Sequence, residues 1–270
     1  MSALPPITER IREDLRSPFV PQAIRKLAEA DGYLEVVWPL VASSVQTAGF
    51  LGSARYMADM ALASVEEVYE PVLTRDSLLE AGVTATDLDR ITEVVDVFHY
   101  VQPQLLLVLA ALAEAMEREQ VGGYGKADPR ELIEREQRHL ATPVQTAASL
   151  PPDILEALNL AEPPDLYSAV AAWPGYLQVV WEELQHLVAY PEFRRRGRGL
   201  YFYARAGARF LAEPLRANPE ALREAGLTDE AIEVAQQALA AALPATAMMM
   251  MHAEAMRLTL GIHDREVVQV

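Results

Sequence analysis

The chain has no cysteine among its 270 residues. This excludes disulfides, thiol catalysis, thiol peroxidases, iron–sulfur clusters and cysteine-ligated zinc in one step. Positive charge is scarce as well. Lys and Arg number 23 against 39 Asp and Glu, a net charge of −16. A chain this acidic is a poor ligand for nucleic acid or for an anionic membrane, so neither is expected as a partner. No apolar run approaches the ~18 residues of a membrane-spanning helix, so no such segment is expected. Met1 to Arg12 has no apolar stretch of the kind a secretory signal carries. The expectation is a soluble, cytoplasmic protein. Three catalytic signatures are also missing: a Gly-x-Ser-x-Gly elbow, a Gly-rich phosphate loop and a His-Glu-x-x-His zinc motif.

What is present is helix-forming sequence. Ala, Leu, Glu, Arg and Met are frequent, and no segment shows sustained polar/apolar alternation. Hydrophobic residues make up 51% of the chain, enough for a sizeable core. The fold class expected is all-α, with about ten helices and no sheet of consequence. Thr84 to Asp87 reads as a capping box, and Thr228-Asp229-Glu230 as a cap followed by acids that suit a helix N-terminus. Asp128-Pro129 reads as a helix start, with the helix running to about His139. Pro39 should start or kink a helix, and Pro103 and Pro244 should mark breaks between helical runs.

The chain repeats itself. Gly32-Tyr33-Leu34-Glu35-Val36-Val37-Trp38 recurs as Gly175-Tyr176-Leu177-Gln178-Val179-Val180-Trp181, an offset of 175 − 32 = 143. Ala81-Gly82-Val83-Thr84 and Ala113-Glu114-Ala115-Met116 recur, in the same order, as Ala225-Gly226-Leu227-Thr228 and Ala253-Glu254-Ala255-Met256. The organisation expected is a first helical repeat with an N-terminal extension over 1–118, a connector over 119–164, and a second repeat with a C-terminal tail over 165–270. The repeats would pack as an intramolecular pseudo-dimer with a pocket between them. Tyr33, Trp38, Tyr176 and Trp181 are spaced for buried helix faces, and the runs Leu105–Leu109 and Met248–Met251 for the central helices.

Two patterns carry candidate chemistry. Glu136-x-x-His139 and Glu183-x-x-His186 match the i, i+3 pairs of di-metal bundles, with Glu114 and Glu254 as further carboxylates. The two pairs lie 47 residues apart, which breaks the repeat offset, so solvated helix faces are expected and no metal or organic cofactor. Arg194-Arg195-Arg196-Gly197-Arg198 is a basic run in an acidic chain. It reads as a solvated helix turn or as a grip for a small anion such as a carboxylate.

A set of segments, in order, resembles the group I (DL-) 2-haloacid dehalogenase family. They are Leu15 to Val20, Asp31 to Leu34, Tyr100 to Leu107 with Pro103, Val121-Gly122-Gly123, and Trp173 to Gln178. The helix starts at Ala81–Thr84 and Ala225–Thr228 also resemble those of the alkylhydroperoxidase-like helical superfamily. The first resemblance implies hydrolysis of a small 2-halo carboxylic acid without a cofactor, an aspartate activating water that attacks C2 and expels halide. It implies that Leu166 stands at the aspartate's position, so that Asp165, one residue earlier, is the candidate base. Gln102 stands where the family has a water-positioning asparagine. Phe19, His99 and Tyr167 are the candidate substrate-binding residues around the same pocket. The alternative for Asp165 is to cap a helix beginning at Leu166, and for the whole chain a non-catalytic binding or structural role. Composition is compatible with a monomer or a homodimer.

Overall fold

The computed structural model describes residues 6–144 and 150–263, apart from the Phe210 side chain. The ends of the expected N-terminal extension and C-terminal tail, and 145–149 of the expected connector, lie outside the described residues. The helices are α1 (Pro6–Asp14), α2 (Gln22–Leu27), α3 (Tyr33–Val45), α4 (Ala48–Glu66), α5 (Arg75–Glu80) and α6 (Ala85–Glu117). After β1 (Val121–Gly122) come α7 (Glu134–Ala141), α8 (Pro152–Leu158), α9 (Asp165–Val170), α10 (Pro174–Ala189) and α11 (Pro191–Gly207). Beyond β2 (Pro214–Leu215) lie α12 (Pro219–Glu224) and α13 (Asp229–Thr259). The class is all-α, as expected. Among the described residues the sheet is two short strands, paired Val121↔Leu215 and Gly122↔Pro214.

The two long helices, α6 and α13, pack against each other through the centre, flanked by α4 and α11. Both begin where the sequence indicates. Thr84 Oγ1 accepts from Asp87 N at 3.1 Å, and Thr228 Oγ1 from Ala231 N at 3.1 Å. Each cap satisfies one of the free N–H groups of the first turn.

The prolines behave differently from their sequence signal. Pro103 and Pro244 break nothing; each lies inside a continuous helix, as Pro39 does in α3. An interior proline costs a helix about 3 kcal/mol by losing one hydrogen bond and crowding the previous turn. Around Pro103 that cost is offset by burial, since α6 from Val97 to Leu112 is buried at every position. Pro244 is exposed, so the carbonyl it frees, that of Ala240, can turn to solvent.

The same apolar content corrects the membrane expectation. α6 and α13 are each long and apolar enough to cross a bilayer by length and composition. Within the fold, 94% of the apolar window of α6 and 44% of that of α13 is buried. For α6 that is what a core helix requires.

Tyr33, Trp38, Tyr176 and Trp181 are all buried. Trp38 Nε1 donates to Asp14 at 2.7 Å, and Trp181 Nε1 to Asp153 at 3.1 Å. The glycines ahead of them differ. Gly32 precedes α3 at φ +72°, whereas Gly175 lies inside α10. Pro174 explains the difference, because proline at the first helical position starts α10 earlier in the motif.

Asp128-Pro129 does not start a helix. The stretch runs extended past the junction of α3 and α4, where Ala48 N donates to the Asp128 carbonyl (3.0 Å) and Arg130 N to that of Gln46 (2.8 Å). The Asp128 carbonyl thereby satisfies a free N–H at the start of α4. At the other anchor, Gly122 has φ +77°, and a Cβ there would lie 2.7 Å from the Glu213 carbonyl, so this crossing is open only to glycine.

Candidate functional site

A cavity of about 460 Å³ lies between α2, α6, the 160–165 segment and α13. Its wall is mostly apolar, with Phe19, Leu105 and Met249 among the lining, and it carries the Gln102 amide and the Asp165 carboxylate. Pro163 and Pro164 hold the approach to α9 extended and place Asp165 as its first residue. Asp165 is therefore not an N-cap, and its carboxylate makes no bond to its own helix. It faces the start of α2 instead. Oδ2 accepts from Gln22 N at 2.5 Å, and Oδ1 from Arg25 Nη2 at 2.8 Å.

Burial raises the Asp165 carboxyl above its ordinary 3.8, against the opposing charge of Arg25 and the Gln22 N–H. A carboxylate offers roughly four lone-pair sites, so two donors leave room for a proton from a third group. Gln102 is buried on α6, and its Oε1 has no hydrogen-bond partner among the described residues. Phe19 reaches the cavity from a turn held by Ser17 Oγ donating to the Phe19 carbonyl at 2.6 Å. Its ring lies 5.3 Å from that of Phe98. Among the described residues Lys26 is the one basic side chain lining the cavity, and it pairs with Glu162 at 2.8 Å.

Phe19, Gln102 and Asp165 thus converge on one cavity, while His99 and Tyr167 do not. Tyr167 follows Asp165 by two residues, which places it on the far side of α9. It is fully buried, with its hydroxyl 2.9 Å from His252 Nδ1 and its ring edge-on to Trp181. Burial pushes His252 down to about 3, so this imidazole is neutral.

His99 sits one turn before Gln102, but α6 is buried all round, and a rotation of about 60° is enough to face another neighbour. Its Nδ1 lies 2.5 Å from Glu254 Oε1. Glu254 also accepts from Arg257 Nη1 at 2.9 Å, and Arg257 reaches Asp96 at 3.3 Å. From α7, Arg135 and His139 approach Asp96 at 2.5 and 3.5 Å. Burial alone would raise both carboxyls. The charge and hydrogen bond of His99 with those of Arg257 hold Glu254 below its ordinary value, and His139, Arg135 and Arg257 do the same for Asp96. No sequence motif marks this cluster, but Glu254-x-x-Arg257 within the apolar stretch Met248 to Leu260 is its signal.

The di-metal pattern dissolves into pairings of this kind, although not into solvated faces. Glu136 and His139 are buried, Glu136 paired with Arg130 at 2.9 Å. Glu183 accepts from Tyr69 Oη (2.6 Å), Val72 N (2.8 Å) and Leu73 N (2.9 Å). Glu114 binds Arg205 at 2.5 Å and Arg118 at 2.6 Å. Among the described residues no group of three or more acids and histidines is arranged to hold a metal.

Residues 18–151 match the family described as Halocarboxylic acid dehydrogenase DehI. A configuration-inverting 2-haloacid dehalogenase of Alcaligenes xylosoxydans xylosoxydans is 27% identical over 68% of this chain and 65% of its own length. An (R)-2-haloacid dehalogenase of Pseudomonas putida is 26% identical over 59% of this chain and 58% of its own. The chain therefore spans less than two thirds of these relatives. In fold, a D-2-haloacid dehalogenase mutant in complex with D-2-CPA superposes with a TM-score of 0.83 at 19% identity, covering 94% of this chain and 90% of that one. A further mutant structure of a D-2-haloacid dehalogenase gives 0.85 at 18% identity, with the same coverage. By sequence over residues 18–151, and by fold over 94% of its length, this chain is similar to the haloacid dehalogenases.

Proposed function

We propose that the chain is a hydrolase that displaces halide from a small 2-halo carboxylic acid by direct attack of water. The observation that carries this reading is the meeting of the Asp165 carboxylate and the Gln102 amide at one largely apolar cavity. Asp165 takes one proton from water, the resulting oxygen nucleophile attacks C2 opposite the halogen, and halide leaves with the carbon–halogen electron pair. The product is a 2-hydroxy acid of inverted configuration, and the proton passes from Asp165 to solvent. The raised affinity of Asp165 for a proton suits a base. Gln102 Oε1 accepts a hydrogen bond from the attacking water, and Lys26 offers a cation for the substrate carboxylate. Phe19 and Met249 desolvate the carbon end. No step calls for a metal or an organic cofactor. We further read the two helical repeats, joined by the 119–164 connector, as the unit that encloses the cavity, with the 143-residue spacing of Gln22 and Asp165 in support.

The test is halide release from each enantiomer of 2-chloropropionate, with chiral analysis of the lactate formed. Chloride release with inversion is expected, falling by about 10²–10⁴-fold in Asp165→Asn while the circular dichroism spectrum is kept. If the wild-type chain releases no halide from either enantiomer or from several other 2-halo acids, the reading fails. The non-catalytic binding role then replaces it.

A further inference from the structure

The basic run of α11 is not used by the cavity above, and it borders a second one. A groove of about 640 Å³ runs between the C-terminal end of α8, the start of α11 and the middle of α13. Its walls are apolar, with Leu158, Val188, Met248 and Met249 among them, and its polar lining is Asn159, His252, Arg194 and Arg198. Among the described residues no Asp or Glu lines it. In a chain with 39 acids against 23 Lys and Arg that is unusual. The first cavity, by contrast, is lined by Glu29, Glu162 and Asp165.

Arg194 and Arg198 stand four residues apart on α11, so both guanidinium groups lie along one face of the helix. The rest of the run is engaged elsewhere: Arg195 pairs with Glu192 at 2.7 Å, and Arg196 with Glu67 at 2.6 Å. Arg194 gives its Nε to the Val188 carbonyl at 2.8 Å, which sets the side chain and leaves its Nη groups to spare. Arg198 has neither an ion pair nor a hydrogen bond among the described residues. The apolar wall is adaptable. Met248 lies over Gly197, where a Cβ would come within 2.2 Å of its sulfur, so glycine is what lets the thioether settle between the two helices. Methionine side chains re-pack readily around ligands of varied shape.

We infer that this groove is a second ligand site, which binds a free carboxylate with an apolar tail, the carboxylate held between Arg194 and Arg198 and the tail along Leu158, Val188 and Met248. Guanidinium groups take a carboxylate with two parallel hydrogen bonds, and the methionine wall replaces water around the chain. The groove shares Met249 with the first cavity, but the inference does not rest on halide chemistry, and its test reads binding alone.

Calorimetric titration with decanoate, well below its micelle concentration, is expected to show one site. 1-Decanol and decylammonium should bind at least about tenfold more weakly, because each lacks the charge that Arg194 and Arg198 receive. Arg198→Gln combined with Arg194→Gln should lower decanoate affinity by about tenfold or more. Two blocking variants locate the site: Ala157→Trp at the exposed rim of the groove should abolish binding, and Ala238→Trp, which fills the first cavity, should leave it unchanged. Decanol binding as tightly as decanoate, or loss in Ala238→Trp but not in Ala157→Trp, overturns the inference. Binding to vesicles of anionic phospholipid without binding of monomeric decanoate would overturn it too, by assigning the arginines to a lipid surface. Failure of the chain to release halide would leave it standing.

Discussion

Asp165, partly buried, and Glu254, fully buried, are both carboxylates that face arginine, and their environments push them in opposite directions. Asp165 meets one arginine that is itself 38% exposed, together with a backbone N–H, and its proton affinity rises. Glu254 meets a fully buried arginine and a buried histidine, and its proton affinity falls. Burial alone raises both; what separates them is how much cationic partnership is buried with the acid. Asp165 borders open space and can exchange a proton with a guest. Glu254 has its oxygens committed to α6 and to its own helix, and serves to lock α6 onto α13.

The sharpest way to break this contrast is to remove each arginine. Arg257→Ala strands Glu254 in the interior and should destabilise the fold by about 3–5 kcal/mol in urea unfolding. Arg25→Ala should cost under about 1 kcal/mol, since solvent screens that pair. Equal losses would mean that the two sites are built alike. Next in size is the pH dependence of halide release, which should climb with pH as Asp165 ionises. The midpoint should lie above the ordinary 3.8 and move higher in Arg25→Ala. A midpoint at or below 3.8 would remove Asp165 as the base.

Stability against pH gives opposite signs for the two acids. Glu254 is held below its ordinary 4.5, so the stability it contributes is full above that value and is lost as pH falls from there through the lowered one. The gap between wild type and Glu254→Gln should therefore shrink on acidification. Asp165 is raised, so the folded state prefers its neutral form, and stability is lost as pH rises from the ordinary 3.8 through the raised value. On acidification wild type should therefore gain stability relative to Asp165→Asn. Two gaps of the same sign would contradict the assignment. The smallest effect is expected of Gln102→Leu, which removes an amide without a partner among the described residues. It should leave unfolding within about 1 kcal/mol of wild type while halide release drops.

The helix starts at Thr84 and Thr228 were legible because a cap acts within four residues of sequence. The meeting of Phe19, Gln102 and Asp165 was legible through the order of family-like segments. The prolines were misread because the penalty at Pro103 is local and its compensation is the surrounding core. His99 and Tyr167 were misplaced for a related reason. Helical spacing says which residues share a face, whereas on a helix buried all round every face has a different neighbour. The Glu254 cluster draws on α6, α7 and α13 at once, and no single stretch of sequence contains it.

The connection between the long helices has a consequence for how the molecule comes apart. It is stitched to the α3–α4 junction by Asp128 and Arg130, to β2 by β1, and to the buried ions by Arg135 and His139. α6 is covered in turn by α13 and α11. Neither long helix therefore keeps an apolar face covered by its own stretch of chain alone. Heating should yield one calorimetric transition, with equal van't Hoff and calorimetric enthalpies, and the slowest-exchanging amides of α6 and α13 should open together.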